Sequence, residues 1–237
     1  MGTGSVRLAP PGLLPSISTL DSPTASNVVG IGWALRQRLK WARDALPGEG
    51  FATVLEIGYG SGIFMHELAK HATRLFGCDV HTQGADVRRQ LARDGIAPYL
   101  VRNASEALPF RTGAFDAVVI VSVHELMTNP ASTLREASRV VRAGGAVVCI
   151  APRVLRWATR LSWLLGGGDN EVQNGLLRIE TALADRSLRA ERSPRPRLAP
   201  RFLAPYEVVV LRRLPEHVGT DAVVPLIRAF PTSSAAQ

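Results

Sequence analysis

The chain has 237 residues, 46% hydrophobic and 20% charged, which is enough apolar material for one sizeable globular domain and excludes a wholly disordered chain. No run approaches the roughly 20 apolar residues of a spanning helix, and Pro10, Pro11 and Pro15 interrupt the stretch a secretory leader would need, so a cytoplasmic protein without a transmembrane segment is expected. The formal net charge of +8 invites a nucleic-acid partner, but of 28 basic residues only Lys40 and Lys70 are lysines; so lopsided a ratio, beside abundant Ala, Gly and Pro, fits a GC-rich coding sequence and disfavours that reading.

Residues 1–26, rich in Pro, Gly, Ser and Thr, read as a flexible N-terminal arm. Within 27–50, a small helical cap, Trp33, Leu35, Leu39, Trp41 and Leu46 alternate with basic residues and predict a helix over 31–46, ended by Pro47-Gly48. From 51 to 214 the pattern is that of one domain. Ala52–Ile57 is a strand rich in β-branched residues, followed by a glycine loop and a helix over Ile63–Thr73. Leu75–Val80 is a second strand, Asp86–Asp94 a helix, Tyr99–Val101 a brief strand and Phe115–Val123 a fourth. Pro130–Arg142 is a helix closed by Gly144-Gly145, and Ala146–Ala151 a fifth strand. Cys78 and Cys149 lie inside apolar strands, as buried thiols of a reducing compartment do. Glu171–Arg186 looks helical, Tyr206–Arg213 looks like a strand, and Ser187–Pro205 between them reads as a solvated, arginine- and proline-rich loop. Residues 215–237 form a C-terminal tail. Near-continuous apolar strands alternating with helices predict an α/β fold, a doubly wound sheet covered on both faces.

The informative segment is Val54-Leu55-Glu56-Ile57-Gly58-Tyr59-Gly60-Ser61-Gly62, which joins the first strand to the first helix. Glycines there let the backbone turn tightly and approach a ligand. A dinucleotide fingerprint requires Gly or Ala three residues after Gly60, where this chain has Ile63, which disfavours a nicotinamide dehydrogenase. Glu56 precedes the first glycine by two positions; it would repel a pyrophosphate and suits a cation. Asp79 ends the second strand, 21 residues after Gly58, where a carboxylate accepts hydrogen bonds from both ribose hydroxyls. A nucleoside with positive charge and no phosphate satisfies both acids, and S-adenosylmethionine is such a molecule.

Over roughly residues 52–152 the sequence resembles the class I S-adenosylmethionine-dependent methyltransferases, in particular the small-molecule, type 11-like group with its V-L-E-I-G-x-G-x-G opening. Ala104–Phe110 is similar to the family's D-A-E-x-L-P-F segment, Gly113–Val118 to its G-S-F-D-x-V, and Leu134–Gly145 to its L-x-E-x-x-R-V-L-K-P-G-G. The resemblance implies a mostly parallel, seven-stranded Rossmann-like sheet, S-adenosyl-L-methionine as cofactor, and methyl transfer to a small-molecule acceptor. It assigns the cofactor to Glu56, Gly58, Tyr59, Gly60, Gly62, Asp79, Val80, Ser105, Glu106 and Val121, with no metal. The family's usual acid beside the adenine falls on Ala104, leaving Asn103 or Glu106 to take its place.

Transfer from a sulfonium relies largely on positioning. A base is needed only when the acceptor loses a proton, and His124, just past the fourth strand, is the candidate; the plain alternative is a loop histidine. Glu125 is a candidate for holding a cationic acceptor, and His81 either flanks the ribose or lies in a loop. Trp157 and Trp163 precede Gly166-Gly167-Gly168 and suit a lid over an apolar or aromatic acceptor, or else simple core packing. The arginines at 186, 189, 192, 195, 197 and 201 leave open an RNA or protein methyltransferase, and the fold alone leaves open a non-catalytic cofactor-binding protein.

Overall fold

A computed structural model of the chain describes residues 39–46, 48, 50–121, 129–152, 188–192 and 206–214. Residues 39–45 form helix α1. There follow β1 (Phe51–Ile57), α2 (Met65–Leu68), β2 (Ala72–Asp79), α3 (Gly84–Arg93), β3 (Tyr99–Arg102), β4 (Phe115–Val121), α4 (Pro130–Val140), β5 (Val141–Pro152), β6 (Leu188–Arg192) and β7 (Tyr206–Arg213).

The strands make one seven-stranded sheet in the order β3-β2-β1-β4-β5-β7-β6. β1 to β5 are mutually parallel, and β7 runs antiparallel to β5 and β6. The chain winds outward from β1 to β3, then returns across β1 to β4 and β5. That reversal opens a crevice at the carboxyl ends of β1 and β4, the place where open α/β sheets bind ligands.

Both faces are covered, which is why the strands are apolar without alternation. On one face Val54, Val119 and Val148 pack against Leu39 and Ala42 of α1, Phe64, Met65 and Leu68 around α2, and Val87 and Leu91 of α3. On the other, Leu55, Val118, Ile120, Val147 and Leu211 pack against Leu134, Ala137 and Val140 of α4. The doubly wound, mostly parallel sheet expected from the sequence is the sheet that forms. The described part of the expected cap, α1, packs into the sheet's own core. The rest of the cap, the arm over 1–26, the helix over 171–186 and the tail over 215–237 lie outside the described residues.

Three expectations need correction. The helix expected over Ile63–Thr73 is a single helical turn with flanking turns, because Phe51 N–H donates to His71 O (2.9 Å) and draws Ala72 and Thr73 into β2. Gly144-Gly145 does not close a helix. α4 ends at Val140, and the glycines lie in β5, where pairing jumps from Phe115↔Val141 to Ala117↔Ala146. That leaves Arg142–Gly145 as a bulge. Residues 188–192 are strand, not solvated loop: Leu188 is buried while Arg189 and Glu191 are exposed, and β7 supplies the ladder.

The bulge is crowded. A Cβ on Gly145 would lie 2.7 Å from Asp116 O and 2.9 Å from Arg142 O, both backbone atoms that cannot yield without moving a strand. Gly145→Ala is expected to cost about 1–3 kcal/mol, the usual range for overpacking, read as a lower urea midpoint at unchanged slope.

The amino edge of the sheet is held by charge. Asp116 accepts from Thr53 N–H (2.9 Å) and from Arg142 Nε (2.7 Å). Glu67, buried on α2, accepts from Lys70 (2.6 Å) and Arg43 (3.2 Å), tying α1 to α2. Burial alone would raise both carboxyls, but their cationic partners and hydrogen bonds hold both below the usual carboxylate range. A depressed native pKa contributes stability that is complete above the unfolded value, near 4, and is lost as pH falls through the native one. Acid titration of the fold should therefore show a steep loss below about pH 4, shallower in Asp116→Asn.

Candidate functional site

The glycine loop leaves β1 at the carboxyl edge and is stitched to the end of β2. Gly58 N–H donates to Cys78 O (2.7 Å), and Gly60 N–H donates to Asp79 Oδ2 (2.9 Å). Gly58, Gly60 and Gly62 have φ of 75°, 49° and 76°. These are left-handed conformations that cost little only for glycine. Gly62 is also closed in by packing, since a Cβ there would lie 2.9 Å from Val87 Cγ1 on α3. The loop is thus bare of side chains at Gly60 and backed by a carboxylate.

Asp79 uses its second oxygen to accept from Val80 N–H (2.7 Å). The same oxygen also accepts from His81 N–H (3.4 Å), whereas Oδ2 accepts from Gly60 N–H and keeps capacity for a ribose hydroxyl. Glu56 lies one strand over, paired in register with Gly77 of β2 and Val119 of β4, and is 3% exposed. A carboxylate this buried is electrostatically complementary to a cation. Ser61 Oγ is buried in the loop with no hydrogen-bond partner among the described residues.

The other expected residues separate into two groups. Val80 lies beside Asp79 and is 64% exposed, an apolar surface open to a ligand, and Val121 ends β4 in the crevice at 8%. The Tyr59 ring is buried beneath the loop, and a Cβ on Gly77 would lie 2.7 Å from its Cδ1. Ser105 and Glu106 face α4. Ser105 Oγ meets Thr133 Oγ1 at 2.8 Å, and Glu106 Oε1 accepts from Asn129 N–H (3.4 Å) at the start of that helix. Asn103, the other substitute for the missing acid, turns its Nδ2 into the 104–107 turn, donating to the carbonyls of Ala104 and Ala107. His124, Glu125, Trp33, Trp157 and Trp163 lie outside the described residues.

Sequence reasoning left His81 either beside the ribose or adenine or as a plain loop residue; its ring is half of a clamp on the loop, accepting from Gln83 N–H and meeting Gly60 O at 3.1 Å. The buried thiol of Cys78 and phenol of Tyr59 are each pushed up to about 12 by burial, with Asp79 adding to both. Burial thus favours the protonated form of both groups. Among the described residues no group of His, Cys, Asp and Glu could hold a metal ion, and no helix is long and apolar enough to cross a membrane. The arrangement fits a cationic nucleoside: a buried acid for the charge, a bare loop for close approach, and a second acid at the strand end for hydroxyls.

Comparison with known proteins agrees. Residues 55–149 match the family model described as a methyltransferase domain. The ubiquinone biosynthesis O-methyltransferase of Ralstonia nicotianae is 32% identical over 114 residues, covering 46% of this chain and 47% of that protein. The chain spans less than half the length of the curated relatives it matches first. Among solved structures, geranyl diphosphate C-methyltransferase from Streptomyces coelicolor, in complex with S-adenosyl-L-homocysteine, superposes with a TM-score of 0.57 at 15% identity over 88% of this chain and 91% of that one. The N-methyltransferase NodS from Bradyrhizobium japonicum gives 0.53 at 18% over 80% of this chain and 99% of that one. At such identities the structures establish the shared fold.

Proposed function

We propose that this chain, whose residues 55–149 match the methyltransferase-domain family model, is a class I S-adenosylmethionine-dependent methyltransferase and binds S-adenosylmethionine at the carboxyl edge of β1 and β2. We assign it the transfer of the cofactor's methyl group to a small apolar or aromatic acceptor. The observation that carries this is the contact of Gly60 N–H with Asp79, which brings the cofactor loop and the ribose acid to one another. The bound cofactor supplies an electrophilic methyl group on a sulfonium. Asp79 holds the ribose hydroxyls, Glu56 balances positive charge, and Gly58, Gly60 and Gly62 admit the ligand to the backbone. Val80 and Val121 offer apolar surface to it. Ser105 and Glu106 act through α4, fixing the 103–107 turn as the wall at the adenine end.

The name of the curated relatives favours oxygen as the acceptor atom. A hydroxyl must lose its proton, and His124 is the residue we assign to take it. The acceptor pocket is assigned to segments outside 52–152, which hold Trp33, Trp41, Trp157 and Trp163; the core motifs are already committed to the cofactor. Titration calorimetry tests the first step: the chain should bind S-adenosylmethionine or S-adenosylhomocysteine one to one and show no comparable affinity for NAD. Equal or better binding of NAD would sink the reading. Labelled methyl from the cofactor should then appear in extractable phenolic metabolites rather than in RNA or protein. Label in RNA would instead favour the arginines at 186, 189, 192, 195, 197 and 201.

A further inference from the structure

The geometry points to His81 as a positioning residue that sets the glycine loop for its ligand by donating a hydrogen bond from Nε2 to Gly60 O. This rests on the cofactor reading above. The argument begins with the tautomer. Gln83 N–H can only donate, and it points at His81 Nδ1 at 3.1 Å. In the neutral ring Nδ1 is therefore the unprotonated nitrogen and the proton sits on Nε2. Nε2 in turn lies 3.1 Å from Gly60 O, which can only accept. The start of α3 thus fixes the tautomer, and the tautomer makes Nε2 a donor. With the opposite tautomer two lone pairs would face each other at Gly60, and Asp79 Oδ2, at 3.8 Å from Nε2, would add its negative charge to the repulsion.

The ring plane is also held. Tyr59, buried under the loop, meets the imidazole at 4.9 Å between centroids with planes 75° apart, an edge-to-face contact. Gly60 is therefore gripped on both sides, its N–H by Asp79 and its carbonyl by His81, both from the segment ending β2. This is preorganisation: a loop held at φ 49° before the ligand arrives loses less freedom on binding. His81 need not touch the cofactor to do this.

Two amide side chains separate the two halves of the clamp. Asn places an acceptor where Nδ1 is but reaches no further, so His81→Asn keeps the Gln83 bond and loses the Gly60 bond. Gln carries an N–H at the position of Nε2, so His81→Gln keeps the Gly60 bond. Calorimetry on the full chain with S-adenosylhomocysteine should give roughly five- to tenfold weaker binding for His81→Asn, the value of one hydrogen bond, and binding within about twofold of wild type for His81→Gln. The melting temperatures of the two variants should agree, since a merely structural role would move both together. In the wild-type chain, long-range proton–nitrogen correlation should find the His81 proton on Nε2. A proton on Nδ1 overturns the proposal whatever the variants do, and decides the matter if His81→Asn fails to fold. Wild-type binding unchanged in His81→Asn, or equal losses in both variants, also overturns it and leaves the cofactor reading standing. A wild-type chain that binds no S-adenosylhomocysteine overturns the cofactor reading, and this inference with it.

Discussion

Asp79→Ala is expected to weaken S-adenosylmethionine binding by at least about tenfold, and by more than about a hundredfold if both ribose hydroxyls depend on it. Hydrogen bonds to a charged group contribute about 1.5–3 kcal/mol each, and each 1.4 kcal/mol is a factor of ten in affinity. The loss has two sources that the structure separates. One is direct, the missing acceptor for the ribose. The other is internal: the N–H groups of Gly60, Val80 and His81 all donate to Asp79, and alanine leaves them without that acceptor. Asp79→Asn distinguishes the two. It keeps one oxygen and replaces the other with a donor, so either Gly60 N–H or the Val80 and His81 N–H groups lose their acceptor. Binding should fall between wild type and Asp79→Ala. Calorimetry on the three proteins, with circular dichroism to verify the fold, reads the series. A change below about twofold in Asp79→Ala would remove Asp79 from the site.

The glycine loop and Asp79 were legible in the sequence because their chemistry is local. A glycine needed at positive φ and an acid at a strand end keep their meaning wherever the chain goes next. The sheet was legible for a related reason: burial on both faces leaves apolar runs that no other arrangement requires. The failures were non-local. β6 carries only a short alternation, Leu188-Arg189-Ala190-Glu191, which means nothing until β7 arrives to pair with it. The helix over Ile63–Thr73 had helical spacing, and it gave way because Phe51, earlier in the chain, captures His71. Tyr59 stands in the middle of the glycine motif, and that its ring packs into the space left by Gly77 and Gly84 is set by those distant glycines rather than by the motif. His81 gained its role from Gln83 and Gly60 together, a three-body arrangement that spacing alone does not encode.

Gly60→Val tests the loop most severely. At φ 49° a β-branched side chain is strained by about 1–3 kcal/mol, so the variant has two courses. It can keep the backbone and place two methyl groups on the surface the ligand must approach. It can instead relax φ to negative values and turn Gly60 N–H and C=O away from Asp79 and His81. Either course removes the site, and binding of S-adenosylmethionine should weaken beyond about a hundredfold, the equivalent of some 3 kcal/mol. The general cost of valine at positive φ must be separated from this, and Gly95 provides the comparison. It has φ 76°, follows α3, and has nothing within 4 Å of where a Cβ would stand. Gly95→Val therefore carries the backbone strain without touching the ligand loop, and should lose stability while keeping wild-type affinity. If Gly60→Val binds as well as Gly95→Val, the loop does not approach the cofactor, and Glu56 and Asp79 lose the backbone that connects them into one site.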